Sequence, residues 1–94
     1  MLYVIYCRDN LSTPGRRDAF YDAHRAYLKN ARIKILIAGP YLSTGGDQKI
    51  GSMLVVEAET LEQAEAFQKN DPFALNEVWH EVNVHPYLKA IDQR

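Results

Sequence analysis

The sequence predicts one α+β domain, in which an antiparallel sheet of four strands is covered on one face by two helices. Short apolar runs alternate with two stretches of helical periodicity, in the order strand, helix, strand, strand, helix, strand. The chain has 94 residues, which is enough for one hydrophobic core and no more. Hydrophobic residues make up 47% of the chain and charged residues 24%, as in globular proteins. Residues 1–94 are therefore expected to form a single domain.

The first strand is predicted at Leu2 to Cys7, an apolar and aromatic run that ends at Arg8. Both faces of this run are apolar, which is typical of a strand in the centre of a sheet. Ser12-Thr13-Pro14 is a helix-start signal, because a hydroxyl can cap free amides and proline has no amide to leave unpaired. The first helix is therefore predicted from about Pro14 to Asn30.

A hairpin is predicted next. Its first strand, Ile33 to Leu42, is rich in branched residues, and Gly39-Pro40 within it favours an edge position with a bulge. Residues 43–47 have the composition of a turn, and a strand resumes from Ser52 to Ala58.

The second helix is predicted to begin at a capping box formed by Thr60 and Gln63 and to end near Asn70. Asp71-Pro72 breaks the chain, and after a short turn the last strand is predicted at Val78 to Val84. The inner face of the second helix is expected to carry three apolar side chains: Leu61, Ala64 and Phe67.

Right-handed crossovers leave one arrangement for this element order, a ferredoxin-like βαββαβ sheet with both helices on one face. The opposite face of the sheet then has no cover, although the first strand is apolar on both sides. Because the chain has no spare element, we expect a second copy to cover this face. A homodimer in the form of a dimeric α/β barrel is therefore predicted.

Charge and composition argue against several other partners. The formal net charge is −1, which gives no electrostatic reason to bind nucleic acid or an anionic membrane. No stretch approaches the roughly 20 apolar residues of a membrane span, and the run before Arg8 is too short for a signal peptide. The single cysteine, Cys7, cannot form an internal disulfide, so a cytoplasmic location is expected. His80 and His85 are five residues apart on a strand and face opposite ways, so they are not expected to share a metal ion. No other cofactor is expected.

His24 lies within the apolar stripe of the first helix and should point toward the sheet. A ring that titrates near neutral pH needs a buried hydrogen-bond partner or a cavity in that position. Asp71 in the loop after the second helix and Asp9 at the end of the first strand are the candidate partners. Position along the chain favours Asp9, because the loop that holds Asp71 must dip toward the middle of the helix. The stripe also contains five apolar residues: Phe20, Ala23, Tyr27, Leu28 and Ala31.

A carboxylate that accepts a hydrogen bond from one ring nitrogen fixes the tautomer and prepares the other nitrogen for acid-base work. His24 with Asp71 or Asp9 is therefore a candidate catalytic pair, and Ser52 is a further candidate because it begins a strand near the expected pocket. Each residue also has a structural interpretation. A lone histidine can be a hydrogen-bonded core residue, an aspartate before proline is a common turn residue, and Ser52 lacks the signature of a nucleophile elbow.

Five segments of the chain resemble the YCII-related, or YciI-like, proteins. The resemblance implies a small ferredoxin-like protein that dimerises as an α/β barrel, with an active centre at His24 and Asp71. It also implies a relationship to dehydrochlorinases and to muconolactone-isomerase-like proteins. Tyr21 stands where many members have an arginine, so the cation that would hold an anionic substrate is absent there, and His85 replaces a lysine or arginine. The matching segments are LYVIYCRD, AHRAYL, AGP, NDPF and VNVHPYLK, which begin at residues 2, 23, 38, 70 and 82.

Three functions remain open from the sequence. The first is a cofactor-free enzyme in which His24, oriented by Asp71 or Asp9, moves a proton during elimination, isomerisation or hydrolysis of a small molecule. The second is a non-catalytic protein that binds a small molecule or assists a partner. The third is a dimeric protein in which His24 has only a structural role.

Overall fold

The computed structural model describes residues 1–94 and contains one four-stranded antiparallel sheet with the order β2-β3-β1-β4. The first strand is central, as predicted, and the α+β ferredoxin-like fold is confirmed. The helices are α1 (Arg16–Ala19), α2 (Tyr21–Lys29), α3 (Leu61–Lys69) and α4 (Pro72–Leu75). The strands are β1 (Leu2–Asp9), β2 (Lys34–Leu42), β3 (Lys49–Glu57) and β4 (Trp79–Tyr87).

The first helix begins later than predicted and is divided in two. No side chain caps it, and the Thr13 hydroxyl instead donates to the carbonyl oxygen of Glu77, 2.9 Å away. Gly15 precedes α1 in the left-handed region, with φ of 86°, a conformation that glycine adopts without steric cost. Phe20 has φ of −108° and separates α1 from α2. The prediction of one helix from about Pro14 to Asn30 was therefore wrong at its start and in its continuity.

The second helix is capped on the expected residue. The Thr60 hydroxyl accepts a hydrogen bond from the backbone N–H of Gln63, 3.2 Å away. The Gln63 side chain completes the cap one residue earlier than in a standard capping box, since it accepts from the N–H of Glu59 at 2.9 Å. After this helix, Asp71-Pro72 starts the short helix α4, where the sequence predicted only a turn.

Strand β2 is an edge strand, as predicted, but the bulge lies elsewhere. Gly39 and Pro40 remain in register, opposite Met53 and Ser52 of β3. The register shifts instead at Leu36 and again at the end of the strand. The missing N–H of proline is tolerated at this edge without a bulge.

The hydrophobic core lies between the helices and one face of the sheet. None of the helices is both long enough and apolar enough to span a lipid bilayer. The opposite sheet face has no cover within the chain and exposes large apolar side chains: Tyr6 by 43%, Ile37 by 45%, Met53 by 37% and Tyr87 by 42%. Eleven buried residues form the core: Tyr3, Ile5, Cys7, Leu54, Val56, Ala58, Ala64, Phe67, Phe73, Val78 and Trp79.

Candidate active site

His24 is the one buried residue of α2, and it points into the interior as its place in the apolar stripe predicts. Its Nδ1 lies 2.7 Å from Oδ1 of Asp71, a hydrogen bond between residues 47 apart in sequence. The side chains of the two residues are 11% and 1% exposed, respectively. The structure therefore brings these two candidate site residues together inside the protein.

Helix α4 explains why Asp71 reaches His24. Asp71 is the N-cap of this helix and Pro72 is its first residue, an arrangement that suits both residue types. Oδ1 of Asp71 accepts a hydrogen bond from the backbone N–H of Phe73 at 2.9 Å, in addition to its hydrogen bond with His24. The expectation that Asp9 is better placed was therefore wrong, because the capping turn directs the Asp71 carboxylate toward α2.

The second oxygen of Asp71 has no partner. Oδ2 is sealed from solvent and is the only such side-chain oxygen or nitrogen in the chain that forms no hydrogen bond. An unpartnered buried oxygen costs stability, typically about 1–3 kcal/mol, and most native proteins have few of them. Such a cost is typical of residues retained for function.

Two aromatic rings fix the orientation of the His24 imidazole. The ring of Phe73 stacks on it, with centroids 3.9 Å apart and planes 3° from parallel. Trp79 meets it edge-on at a centroid distance of 6.1 Å. Because both rings belong to the core, the imidazole is held on a rigid support.

The other ring nitrogen of His24 remains available. Nε2 forms no hydrogen bond within the chain, and it is not among the atoms sealed from solvent. A carboxylate on Nδ1 favours the tautomer with the proton on Nδ1, which leaves a lone pair on Nε2. The arrangement can therefore accept a proton from a molecule bound beside the ring.

Asp9 and Ser52, the other two candidates, belong to a second cluster that is organised by Arg17 of α1. Nε and Nη2 of Arg17 donate to the two oxygens of Asp9 at 2.8 and 2.7 Å. The same Nη2 donates to Oγ of Ser52 at 2.9 Å, and Nε1 of Trp79 donates to this Oγ at 3.2 Å. Neither Asp9 nor Ser52 forms a hydrogen bond with His24.

The sequence did not single out Arg17. Its spacing of seven residues from His24 would place both on one face of a continuous helix, which is a signal that could have indicated a shared site. The sequence analysis considered Asp9, which contacts Arg17 in the structure, only as a hydrogen-bond partner for His24.

Cys7 lies close to the pair but has the properties of a core residue, as predicted. Burial raises the pKa of its thiol, and the negative charge of Asp71 raises that pKa further. The thiol is therefore protonated at neutral pH, and it lacks the thiolate character of a nucleophile. No group of three or more potential metal ligands exists, and both His80 and His85 are exposed.

A large open groove of about 1230 Å³ lies between α2 and α3. Ala23 and Pro72 line it, but their chain neighbours His24 and Asp71 do not. Size alone therefore does not identify the place where the histidine would meet a ligand.

Known proteins resemble the chain over nearly its whole length. The model of the YCII-related domain matches residues 1–88. Protein YciI of Escherichia coli is 32% identical over 97 residues, covering 96% of this chain and 99% of the relative, and Protein YciI of Shigella flexneri matches equally. An uncharacterized protein of Haemophilus influenzae is 30% identical with the same coverage.

A solved structure matches the fold closely. It is 5-chloro-2-hydroxyhydroquinone dehydrochlorinase from Burkholderia phenoliruptrix, in complex with 2,5-dihydroxybenzoquinone. The TM-score is 0.85, the sequence identity is 33%, and the match covers 94% of each chain. The family-model match and these relatives together show that the chain belongs to the YCII-related family.

Proposed function

We propose that the protein is a cofactor-free enzyme in which His24 transfers a proton to and from a small molecule and Asp71 orients the ring. The observation that carries this proposal is the contact of 2.7 Å between Nδ1 and Asp71, together with an Nε2 that has no partner and is not sealed. In a histidine with only a structural role, both ring nitrogens would be expected to form hydrogen bonds with protein groups or to be shielded from solvent.

The chemistry follows from this geometry. Asp71 accepts from Nδ1–H and so presents the Nε2 lone pair to the ligand. When Nε2 takes a proton, the imidazolium forms next to the buried Asp71 carboxylate, which offsets the new positive charge. Returning the proton to another atom gives isomerisation, whereas departure of an anion such as chloride gives elimination. General acid-base catalysis of this kind contributes typically about 10²–10⁴-fold to a rate.

We infer a small hydroxylated ring compound as the substrate class. Support comes from the solved relative, which is a dehydrochlorinase acting on a chlorinated hydroquinone and holds a dihydroxyquinone. The aromatic walls of Phe73 and Trp79 beside His24 suit a planar molecule.

Turnover of chlorinated and hydroxylated hydroquinones by wild type and by His24→Asn tests the proposal. We expect wild type to convert at least one of them, and His24→Asn to lose about 10²-fold or more of the rate. His80→Asn is the matched control, because His80 is exposed on β4, and it should retain full activity. Equal rates for His24→Asn and wild type, or no turnover of this class by wild type, would contradict the proposal.

A second candidate is non-catalytic binding of a small molecule in the groove between α2 and α3. The observation that favours it is that this groove does not include His24, so a ligand there would not meet the ring. Ala66→Trp narrows the groove from α3 and would then abolish ligand binding, whereas His24→Asn would leave it unchanged. The catalytic proposal predicts instead that Ala66→Trp keeps its turnover and that His24→Asn loses it.

We also propose that the protein is a homodimer joined through the open face of its sheet. The support is the set of large apolar side chains that this face exposes, with no element of the chain left to cover them. Contiguous apolar patches of this kind are typical of interfaces, and a twofold dimer buries the same patch on both copies.

A further inference from the structure

The ring of Phe73 lies unusually close against the His24 imidazole. Their centroids are 3.9 Å apart and their planes are 3° from parallel, so the two rings overlap nearly face to face. Pairs of neutral aromatic rings prefer offset or edge-on arrangements with centroids about 4.5–7 Å apart. The observed contact is therefore not the geometry that two neutral rings favour most.

The same geometry suits a positively charged imidazole. The face of a benzene ring carries negative charge density, which attracts a cation placed within about 6 Å of the ring centre. When Nε2 of His24 takes a proton, the positive charge spreads over the imidazole and lies above the Phe73 face. The contact thus stabilises the protonated ring more than the neutral one.

Packing holds the two rings in this arrangement. Phe73 is fully buried, and Trp79 meets both rings edge-on, at centroid distances of 6.1 Å from His24 and 5.7 Å from Phe73. The backbone N–H of Phe73 also donates to the Asp71 oxygen that contacts Nδ1 of the histidine. One turn of the chain therefore presents both a carboxylate and an aromatic face to the same imidazole.

We propose that Phe73 is a positioning residue of the proposed reaction, whose aromatic face stabilises the His24 imidazolium that forms during turnover. The inference rests on the proposed function and deepens it, because it gives the imidazolium a second support besides Asp71. The carboxylate acts in the plane of the imidazole through Nδ1, whereas the phenylalanine acts on its face. Burial of the ring opposes the charge, so the two contacts support a transient cation in a site whose resting ring is neutral.

The charged groups that contact this stack are Asp71 and Arg17. The guanidinium carbon of Arg17 lies 5.1 Å from the centre of the phenylalanine ring, and Asp9 balances its charge. Burial raises the pKa of Cys7 on β1 and of Tyr27 on α2, and the charge of Asp71 raises both further, so both stay neutral near pH 7. The imidazole is therefore the group of this stack that changes its charge near neutral pH.

A purely structural role is the competing explanation, in which Phe73 only fills the core. Core filling depends on the shape and volume of the side chain. Attraction of a cation depends on the electrons of the aromatic face, and it weakens as fluorine withdraws them. Fluorinated phenylalanines at position 73 separate the two explanations, because they change the electron density more than the shape.

The test replaces Phe73 by monofluorophenylalanine and by pentafluorophenylalanine, and it follows protonation of the His24 ring by NMR with 15N-labelled histidine. We expect the pH at which half of the rings are protonated to decrease in order of fluorine content. The decrease should be about half a pH unit or more for pentafluorophenylalanine. Phe73→Leu removes the aromatic face and should lower this pH as well.

Phe67 offers the matched control. It is also a core phenylalanine stacked on an aromatic ring, but that ring belongs to Tyr27, at a centroid distance of 5.4 Å. The same two fluorinated residues at position 67 should leave the protonation of His24 as in wild type.

Turnover of the hydroquinones gives a second measurement. Because a less stabilised imidazolium makes His24 a weaker base, pentafluorophenylalanine at position 73 should lower kcat by about twofold or more. It should also move the acid limb of the pH–rate profile to lower pH. A structural disturbance would instead lower the activity at every pH without moving that limb.

Unchanged protonation of His24 in the folded pentafluorophenylalanine variant, or an equal decrease for the variant at position 67, overturns the role of Phe73. If the pentafluorophenylalanine variant does not fold, the monofluorophenylalanine variant and Phe73→Leu decide the question by the same NMR measurement. The proposed function fails separately, because His24→Asn would then retain turnover while the protonation of His24 still reports on Phe73.

Discussion

At the scale of single residues, the candidate site depends on how Asp71 divides its bonds. One oxygen serves both the His24 ring and the first free N–H of α4, and the other has no partner. The residue therefore has a structural role as a helix cap and a proposed catalytic role as the partner of the histidine. Two substitutions separate these roles.

Asp71→Asn should retain the cap and lose the negative charge, because an asparagine oxygen can accept the same two hydrogen bonds. We expect a rate loss of about 10²-fold or more with little loss of stability. Asp71→Ala should lose the rate and, in addition, about 1 kcal/mol of stability from the missing cap. Turnover and urea denaturation of both variants give the answer, and full activity of Asp71→Asn would contradict the proposed role of the carboxylate.

Cys7 provides a prediction that depends on pH. Burial raises the pKa of its thiol above the ordinary value of 9.0, so the folded state keeps the thiol neutral. Above pH 9 the unfolded chain loses this proton while the folded chain does not. The free energy of unfolding should therefore decrease as pH rises past this value, by up to about 1.4 kcal/mol per unit for one group.

Urea denaturation from about pH 8 to about pH 10 measures this effect, and Cys7→Ala removes it. The wild type should lose stability more steeply than Cys7→Ala over this range, and its thiol should react with a disulfide reagent only after unfolding. Equal slopes for the two proteins, or fast labelling of the folded protein, would show that the thiol is not held neutral by burial.

At the scale of elements, the sequence predicted the helices and strands well wherever local chemistry decides them. A continuous apolar run predicted β1, helical periodicity predicted the interior face of α2, and Thr60 with Gln63 predicted the start of α3. The start of α1 could not be predicted, because Thr13 donates to Glu77, a residue 64 positions away. Helix α4 was missed because four residues carry too little periodicity, although Asp71-Pro72 is a good helix start.

A tertiary contact also explains why residue 51 of β3 is a glycine. A Cβ at Gly51 would collide with the Tyr41 ring and with the carbonyl oxygen of Cys7. The Tyr41 hydroxyl donates to that same carbonyl at 2.8 Å, so the ring is not free to move aside. Gly51→Ala should therefore destabilise the fold.

We expect a loss of about 2 kcal/mol or more for Gly51→Ala in urea denaturation. Gly45→Ala is the matched control, since a Cβ at this turn glycine meets only the Asp47 side chain, at an ordinary contact distance of 3.5 Å. An equal stability of the two variants would mean that the contact between Tyr41 and β3 does not constrain the strand.

At the scale of the whole molecule, the main consequence of the fold is the open sheet face. A chain of 94 residues buries limited surface on its own, and burial of this face in a homodimer would add to its stability. The candidate site lies on the helical side of the sheet, so each copy would keep its own His24 and Asp71.

Met53→Glu should convert the proposed dimer to monomers, because it places a charge in the centre of the open face, where Met53 is 37% exposed. Leu75→Glu is the matched control, since Leu75 is an exposed apolar residue of α4 on the helical side. Sedimentation equilibrium should give a dimer for wild type and Leu75→Glu and a monomer for Met53→Glu. A monomeric wild type would exclude the dimer.

The candidate site was predictable in part for the same physical reason as the fold. His24 was recognisable because a titratable ring stands out in an apolar stripe. For its partner, position along the chain favoured Asp9, whereas the resemblance to the family implied Asp71, which the capping turn of α4 brings to the ring. Arg17 was identified only from the structure, in which it donates hydrogen bonds to Asp9 and Ser52.

The central claim is that His24 offers a bare Nε2 to a bound molecule. A long-range proton-nitrogen NMR spectrum of the protein with 15N-labelled histidine measures it directly, before and after addition of 2,5-dihydroxybenzoquinone. We predict a neutral ring with the proton on Nδ1, and an Nε2 resonance that shifts when the probe binds. A neutral ring protonated on Nε2, or an Nε2 resonance unmoved by saturating probe, would contradict the account.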